Sequence, residues 1–222
     1  MTVLMALTIA LVGGEIHTLD GSHLRKGSIV IQDGRVVAVG SNIVIPENAK
    51  KVDLDGAIVT PGLIDSWTQL GLVEVSGVAA SNDSRSGLGE VSAFHRAADS
   101  YNPDSSLIPI QRRHGITTVV VAPSGGLVSG SAAIYDLNSH VPVLDNAGLV
   151  ASLGGQSNGS RGGRFWQLRA LFTDALALER NKSLFERNKY RALYASRPNL
   201  LAMIPTARGE RLLFVRVNRR AD

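Results

Sequence analysis

Histidine is the side chain in this sequence best suited to metal binding or acid–base chemistry, because the chain contains no cysteine. Five histidines are present, and none of them forms a His-x-His or His-Glu-x-x-His pattern. His17 and His23 fall among predicted β-strands, so we predict that they are surface or turn residues rather than metal ligands. His114 directly precedes Gly115 and is predicted to help end a helix. Histidine spacing alone therefore predicts no metal centre.

A glycine-rich loop, Pro123-Ser-Gly-Gly, is the second candidate for chemistry, and it follows the β-branched run Thr117–Ala122. The loop lacks the Gly-Lys-Ser/Thr ending of a phosphate-binding loop. Two interpretations stay open. At the end of a barrel strand such a loop could contact a substrate, and it could equally serve only to turn the chain.

Short apolar segments separated by Asp-Gly pairs dominate the first sixty residues. Asp33-Gly34 lies between Ser28–Gln32 and Val36–Gly40, and Asp-Gly favours the positive φ of a type I′ hairpin turn. A second pair, Asp55-Gly56, separates two further short segments. The pattern predicts a small all-β domain over residues 1–61, either a sandwich or an open barrel.

Helical and extended patterns alternate after Pro61-Gly62, which predicts βα units, a parallel sheet and an α/β domain over residues 62–222. The predicted strands and helices are the helix Leu107–His114 with Gly115 as its stop, the strands Thr117–Ala122, Ala132–Leu137, Gly148–Leu153 and Leu212–Val217, and the helices 164–192 and Asn199–Thr206.

Composition excludes several classes of protein. A hydrophobic share of 44% is typical of a folded globular chain. The net charge is +4, with the basic residues concentrated after residue 160, yet no nucleic-acid motif accompanies them and aromatic residues make up only 5%. The composition therefore argues against nucleic-acid binding. The most apolar stretch, residues 3–12, is about half the ~20 residues of a membrane span. We expect no membrane contact and a cytoplasmic location.

Several motifs resemble the amidohydrolase superfamily. Asp53-Leu-Asp-Gly-Ala-Ile-Val-Thr-Pro-Gly-Leu-Ile-Asp65 is similar to the junction between that family's N-terminal β-domain and its first barrel strand, and Gly27–Gly40 resembles its opening hairpin. Ala98-Asp-Ser-Tyr-Asn-Pro103 and His114-Gly-Ile-Thr-Thr-Val-Val-Val-Ala-Pro123 resemble a bacterial-type, imidazolonepropionase-like branch. The resemblance implies an N-terminal β-sandwich (composite domain), a (β/α)8 TIM-type barrel, and hydrolysis of C–N bonds other than peptide bonds. Residues 62–222 fall short of the ~250 residues of a closed barrel, so the barrel is expected to be partial.

The resemblance also implies where a metal centre would lie. The family's first strand ends in His-x-His after the Ile-Asp pair, where this sequence has Ser66-Trp67-Thr68-Gln69. Trp67 cannot ligate a metal because its ring nitrogen is only a donor, and Gln69 offers a single neutral oxygen. A later bridging lysine corresponds to Val150, and the next histidine to Arg216 or Asn218.

The expected metal site is thus degenerate. The family usually binds zinc or another divalent metal, but we expect no metal and no other cofactor in this chain. Catalytic residues are left unassigned. The candidate pocket positions at the barrel mouth are Asp65, Ser66, Trp67, Gln69, Arg216 and Asn218.

Two functions remain open at this stage. The first is a truncated amidohydrolase-like hydrolase with a small-molecule substrate, weakly active or inactive as this chain. The alternative is a non-catalytic binding or assembly module that retains the amidohydrolase fold. An unclosed barrel leaves strand edges unpaired, which predicts self-association or pairing with a missing C-terminal half.

Overall fold

The computed structural model describes residues 7–154, 160–187 and 194–218. Residues 188–192 of the helix predicted over 164–192 lie outside the described residues. The chain divides into two compact units, Met1–Gly62 and Leu63–Asp222, which are described separately. None of the helices in the described ranges is long and apolar enough to cross a membrane.

The first unit is a five-stranded sheet built around its first strand. Its strand order is β3-β2-β1-β4, and β5 also pairs with β1. Strand β1 is antiparallel to β2 and parallel to β4 and β5. The strands are β1 (Thr8–His17), β2 (His23–Gln32), β3 (Arg35–Gly40), β4 (Lys50–Asp53) and β5 (Ile58–Val59).

The turn between β2 and β3 confirms the predicted hairpin. Asp33 has φ 50° and Gly34 has φ 76°, as a type I′ turn requires. Ala10, Ile16 and Val30 are almost completely buried in this unit. The described residues of the unit form a single sheet, so the sandwich arrangement stays a prediction.

The second unit is a curled five-stranded sheet with helices, which fits part of a barrel. The strand order is β10-β9-β8-β7-β6. Its strands are β6 (Leu63–Thr68), β7 (Ile116–Val121), β8 (Val128–Asp136), β9 (Leu144–Ser152) and β10 (Leu212–Arg216), and its helices are α1 (Ala97–Ser100), α2 (Ile108–Arg113), α3 (Arg161–Arg180), α4 (Lys182–Glu186) and α5 (Arg197–Ala207).

This sheet is mixed, which corrects the predicted parallel arrangement. Strands β6 and β7 are parallel, as are β9 and β10, but β8 is antiparallel to both of its neighbours. Only residues 122–127 separate β7 from β8, and a parallel crossover needs a dozen residues or more. Strand β8 therefore belongs to hairpin connections and not to a βα unit.

The two faces of the sheet are packed differently because successive side chains of a strand point in opposite directions. On one face, Leu149 and Ala151 of β9 pack with Leu171 of α3 and Met203 of α5. On the other face, Val150 packs in a small apolar cluster without any helix. The Trp67 ring, at the end of β6, contacts Phe214 of this cluster and therefore lies on this second face.

Candidate functional site

The end of β6 places Trp67 at the margin of the sheet. The carbonyl oxygen of Thr68 accepts a hydrogen bond from the backbone N–H of Ala122 at 2.9 Å, which fixes the end of β6 against the end of β7. The Trp67 ring meets the Phe214 ring edge to face, with 6.1 Å between the ring centroids and 68° between the planes. Trp67 remains 36% exposed, so it forms a wall open to solvent.

An apolar cluster lies beside this wall. Val150 is fully buried and stands directly opposite Phe214 in the β9–β10 pairing. Ala122 and Ala132 complete the buried cluster, and Val120 and Phe214 pack against it. The position that the resemblance assigns to a bridging lysine is therefore surrounded by hydrocarbon, where an ammonium group would be strongly disfavoured.

A cavity of about 500 Å³ opens at this end of the strands. It brings together three of the predicted pocket residues, Trp67, Gln69 and Arg216. Within the described part of the chain, neither Arg85 nor Arg216 forms an ion pair, so both guanidinium groups remain available to an anion. The lining comprises Trp67, Thr68, Gln69, Asn82, Ser84, Arg85, Ser124 and Arg216.

The floor of the cavity is a pair of buried serines. The Oγ atoms of Ser84 and Ser124 lie 3.1 Å apart, and Ser84 Oγ donates to Asn82 Oδ1 at 2.7 Å. The backbone N–H of Ser124 also donates to the Ser84 carbonyl at 2.7 Å. These bonds tie the loop that carries Arg85 to the loop that follows β7.

Sequence reasoning missed Asn82, Ser84 and Arg85 as lining residues, because they lie in a long Ser/Gly/Asn-rich segment without informative spacing. Ser124 could be predicted from the sequence, because it belongs to the glycine-rich loop for which substrate contact was one of the two open interpretations.

The remaining predicted residues lie elsewhere. Asp65 accepts a hydrogen bond from the backbone N–H of Trp67 at 3.1 Å and lines a separate cavity of about 240 Å³. Ser66 is exposed. The side-chain oxygen of Asn218 accepts a hydrogen bond from Arg161 Nη2 at 2.7 Å. None of these three residues lines the cavity beside Trp67.

A buried arginine braces the same end of the sheet. The side chain of Arg164, on α3, is 4% exposed. Its Nε donates to the Ser152 carbonyl at 3.1 Å, and its Nη2 donates to the Gly126 carbonyl at 3.0 Å. Glu90 lies 3.7 Å away as a charge partner. Arg164 thus connects the end of β9 to the glycine-rich loop.

The residues at the implied metal positions do not fit a divalent metal. Zinc in proteins is held by imidazole, thiolate or carboxylate groups. The corresponding positions here carry an indole, a carboxamide and a buried valine, and Arg216 adds a permanent positive charge. Among the described residues that line the cavity there is no histidine, aspartate or glutamate. We therefore assign no metal-dependent step to this cavity.

Comparison with known proteins gives partial matches. No protein-family model matches the chain. It is 28% identical over 134 residues to an imidazolonepropionase of Klebsiella pneumoniae, which covers 51% of this chain and 33% of the relative. It is 52% identical over 49 residues to an imidazolonepropionase of Fusobacterium nucleatum, which covers 20% and 12% of the respective chains.

A solved structure extends the match in fold. The crystal structure of an amidohydrolase from Thermotoga maritima superimposes with a TM-score of 0.81 and 22% sequence identity, covering 96% of this chain and 59% of that one. The matched segments span less than two thirds of each of these relatives. Together these matches support the resemblance to the amidohydrolase superfamily and its imidazolonepropionase-like branch over part of the relatives' length, and the solved structure shows the shared fold.

Proposed function

We propose that the cavity beside Trp67 binds a small organic molecule that carries a carboxylate, and that this chain alone hydrolyses C–N bonds weakly or not at all. The observation that carries the proposal is the pair Arg85 and Arg216, two guanidinium groups without ion-pair partners among the described residues, at one cavity. Guanidinium groups match the planar, two-oxygen geometry of a carboxylate.

The other lining groups suit the rest of such a ligand. The Trp67 indole offers an aromatic face and edge beside Phe214. Gln69 and Ser124 supply neutral hydrogen-bonding groups, which orient a ligand without adding charge. Heterocyclic propionates are the class of molecule that the name of the imidazolonepropionase relatives points to. We take this class as the first ligand to test.

Weak or absent hydrolysis follows from the same lining. Metal-assisted hydrolysis needs groups that hold a Lewis-acidic ion and its water. The indole at Trp67, the carboxamide at Gln69 and the buried side chain of Val150 supply none of these groups. The proposal therefore separates binding, for which the cavity is equipped, from metal-assisted catalysis, for which it is not.

Titration of 3-(imidazol-4-yl)propionate against the Trp166→Phe chain tests binding, because Trp67 is then the only tryptophan and reports through its fluorescence. We expect saturable quenching that weakens at least about tenfold in Arg216→Gln and Arg85→Gln, as loss of a charged hydrogen bond predicts. Arg208→Gln is the matched control, since Arg208 pairs with Glu179 and Glu210 and does not line the cavity. Equal binding by all of these variants would contradict the proposal.

Hydrolysis is measured separately. We expect weak or no hydrolysis of heterocyclic amide-like substrates, and no increase in the rate when zinc is added. A zinc-dependent rate that disappears in Gln69→Ala would show that the cavity is a metal-dependent active site after all.

The second candidate function is assembly, and the two outer strands of the second unit favour it. Strands β6 and β10 each pair on one side only among the described residues, and they expose Ile64 at 67% and Leu212 at 64%. Open apolar strands pair readily with another chain. We propose that this unit is part of a TIM-type barrel that is completed by self-association or by further polypeptide, with the first unit part of a β-sandwich.

Light scattering coupled to size-exclusion chromatography tests the assembly candidate. Dimerisation that is lost in Ile64→Lys with Leu212→Lys supports it. A concentration-independent monomer contradicts self-association of this chain.

A further inference from the structure

The hairpin of the first unit carries a cluster of metal-binding groups that sequence spacing did not reveal. Glu15 and His17 are two residues apart in β1, so their side chains lie on the same face of the strand. His17 stands directly opposite His23 in the antiparallel pairing of β1 with β2. Residue Ile16, between Glu15 and His17, is 3% exposed, so the buried face of the strand is the opposite one.

Three potential ligand atoms meet on this outer face. The Nε2 atom of His23 lies 2.8 Å from Glu15 Oε1, and the Nε2 atom of His17 lies 3.3 Å from the same oxygen. One ligand atom from each of the three residues falls within 4.8 Å of the others. The two imidazole rings are stacked, with 4.4 Å between centroids and 19° between their planes. Both imidazoles therefore present the same nitrogen toward one carboxylate.

These distances suit a transition metal. Zinc binds imidazole nitrogen and carboxylate oxygen at ~2.0–2.2 Å, so the ligand atoms of a tetrahedral site lie roughly 3.3 Å apart. The observed separations of 2.8 and 3.3 Å between the imidazole nitrogens and the carboxylate oxygen lie close to that spacing. Two histidines and one glutamate are also a ligand set that zinc uses when its fourth position is left to water.

The surrounding backbone holds the three residues in place. The N–H of Glu15 donates to the Ala57 carbonyl at 3.0 Å, and Glu15 pairs with Ile58 of β5. Strand β1 is thus held from both sides at the cluster. A preformed ligand set loses less conformational entropy on binding than one assembled from mobile loops.

The turn that joins the two histidines is also fixed by its own hydrogen bonds. Asp20 Oδ1 accepts from Thr18 Oγ1 at 2.5 Å and from the Ser22 N–H at 2.9 Å, so this carboxylate is engaged within the turn. The Thr18 N–H donates to the Ser22 carbonyl at 3.3 Å and closes the loop. Glu15 is accordingly the carboxylate that faces the histidines.

We propose that Glu15, His17 and His23 form a zinc-binding site on the β1–β2 hairpin, with a solvent-accessible fourth position. The side chains of the three residues are 37–42% exposed, so an ion reaches them without any rearrangement of the sheet. This site is independent of the carboxylate-binding function proposed for the second unit.

Calorimetric titration of the full chain with zinc chloride tests the proposal. We expect one zinc ion per chain, with affinity reduced at least about tenfold in His17→Ala and in His23→Ala and abolished in the double variant. His140→Ala is the matched control because it removes an exposed histidine elsewhere, and its affinity should equal that of the wild type. Zinc uptake that survives in the double variant would overturn the proposal.

A second measurement does not depend on whether the variants fold. Long-range ¹H–¹⁵N spectra of the unaltered chain report the ring nitrogens of all five histidines. Zinc should shift the Nε2 signals of His17 and His23 and leave those of His140 unchanged. Saturating zinc without a shift at His17 and His23 would contradict the site, and a zinc ion lost only in Gln69→Ala would place it in the second unit instead.

Discussion

Two regions of this molecule can be compared as metal sites, the strand ends of the second unit's sheet and the β1–β2 hairpin of the first unit. The end of the second unit's sheet is where the resemblance implies a metal centre, but it presents Trp67, Gln69 and Val150 beside an apolar cluster. The β1–β2 hairpin presents two imidazoles and a carboxylate at ligand spacing, in a unit where the family resemblance implies no such site. The contrast illustrates that a fold does not by itself determine which side chains stand at a given site.

The largest expected effect comes from restoring the implied lysine in the sheet. Val150→Lys should destabilise the second unit by about 3–5 kcal/mol, because it places an unpaired charge among Ala122, Ala132 and Phe214. Urea denaturation followed by circular dichroism measures the change. Val143→Lys, at a residue 61% exposed, is the matched control and should stay within about 0.5 kcal/mol of the wild type. A small effect at Val150 would mean that the strand end still has room for a polar group.

The next effect concerns the brace at the same end of the sheet. Arg164→Met keeps the aliphatic bulk but leaves the Ser152 and Gly126 carbonyls without their donor. We expect a loss of about 2–4 kcal/mol in the free energy of unfolding, since hydrogen bonds from a charged group are among the stronger ones. Ligand affinity at the Trp67 cavity should fall as well, because Arg164 holds the loop that contains Ser124. Unchanged stability would show that this end of the sheet does not depend on the hydrogen bonds of Arg164.

A smaller effect concerns the alkaline titration of Tyr101, a residue of the second unit. Burial, followed by the proximity of Tyr135, raises the pKa of Tyr101 to about 12, and the two rings stack at 3.8 Å. The folded state therefore retains a proton that the unfolded chain releases near pH 10, so stability should fall as the pH rises from about 10 to 12. Tyr101→Phe should remove this slope and change stability by less than about 1 kcal/mol at pH 7, because the hydroxyl has no hydrogen-bond partner among the described residues.

Urea midpoints recorded between pH 8 and pH 12, a range chosen to span about two units around the tyrosine pKa, give the Tyr101 slope directly. Tyr194→Phe, which alters an exposed tyrosine, is the matched control. An alkaline slope identical in the wild type and Tyr101→Phe would contradict the assignment to Tyr101.

The smallest effect belongs to the hairpin. The hydrogen bond from His23, with a further one from His17, lowers the pKa of Glu15 below its ordinary value of 4.5. A lowered pKa means that the ionised carboxylate stabilises the folded state above the unfolded pKa, and that this contribution disappears as the pH falls through the folded value. Glu15→Gln should therefore flatten the acid loss of stability between about pH 5 and pH 3. Hydrogen exchange of the backbone amides of β1 and β2, measured with a chelator present, reports the stability of the first unit separately from that of the second.

Sequence reasoning succeeded where a short motif dictates backbone geometry. The turn at Asp33-Gly34 and the helix stop at Gly115, with φ 86°, follow from the positive φ that these residues tolerate. It was wrong about a parallel sheet, because an apolar, β-branched strand has the same pattern in either direction. The predicted start of β8 at Ala132 also hid the short connection that distinguishes a hairpin from a crossover.

The two sites differ in how many of their residues could be predicted from the sequence. Trp67 and Gln69 were named in advance because a family motif fixes their register. Arg216 was one of two candidates, with Asn218, in a segment that resembles a later strand of the family, whereas Arg85 comes from a loop that no motif aligns. The ligands of the hairpin were missed because their relation is across a strand pair and not along the chain. His17 and His23 flank a five-residue turn, and only the register of β1 against β2 shows that they face each other.

We infer that zinc binds on the β1–β2 hairpin and not at the strand ends of the second unit. An anomalous difference map at the zinc absorption edge, from crystals of the full chain grown with zinc, tests it most directly. We expect a peak within bonding distance of Glu15, His17 and His23. A peak beside Gln69, or a hairpin without one, would contradict it.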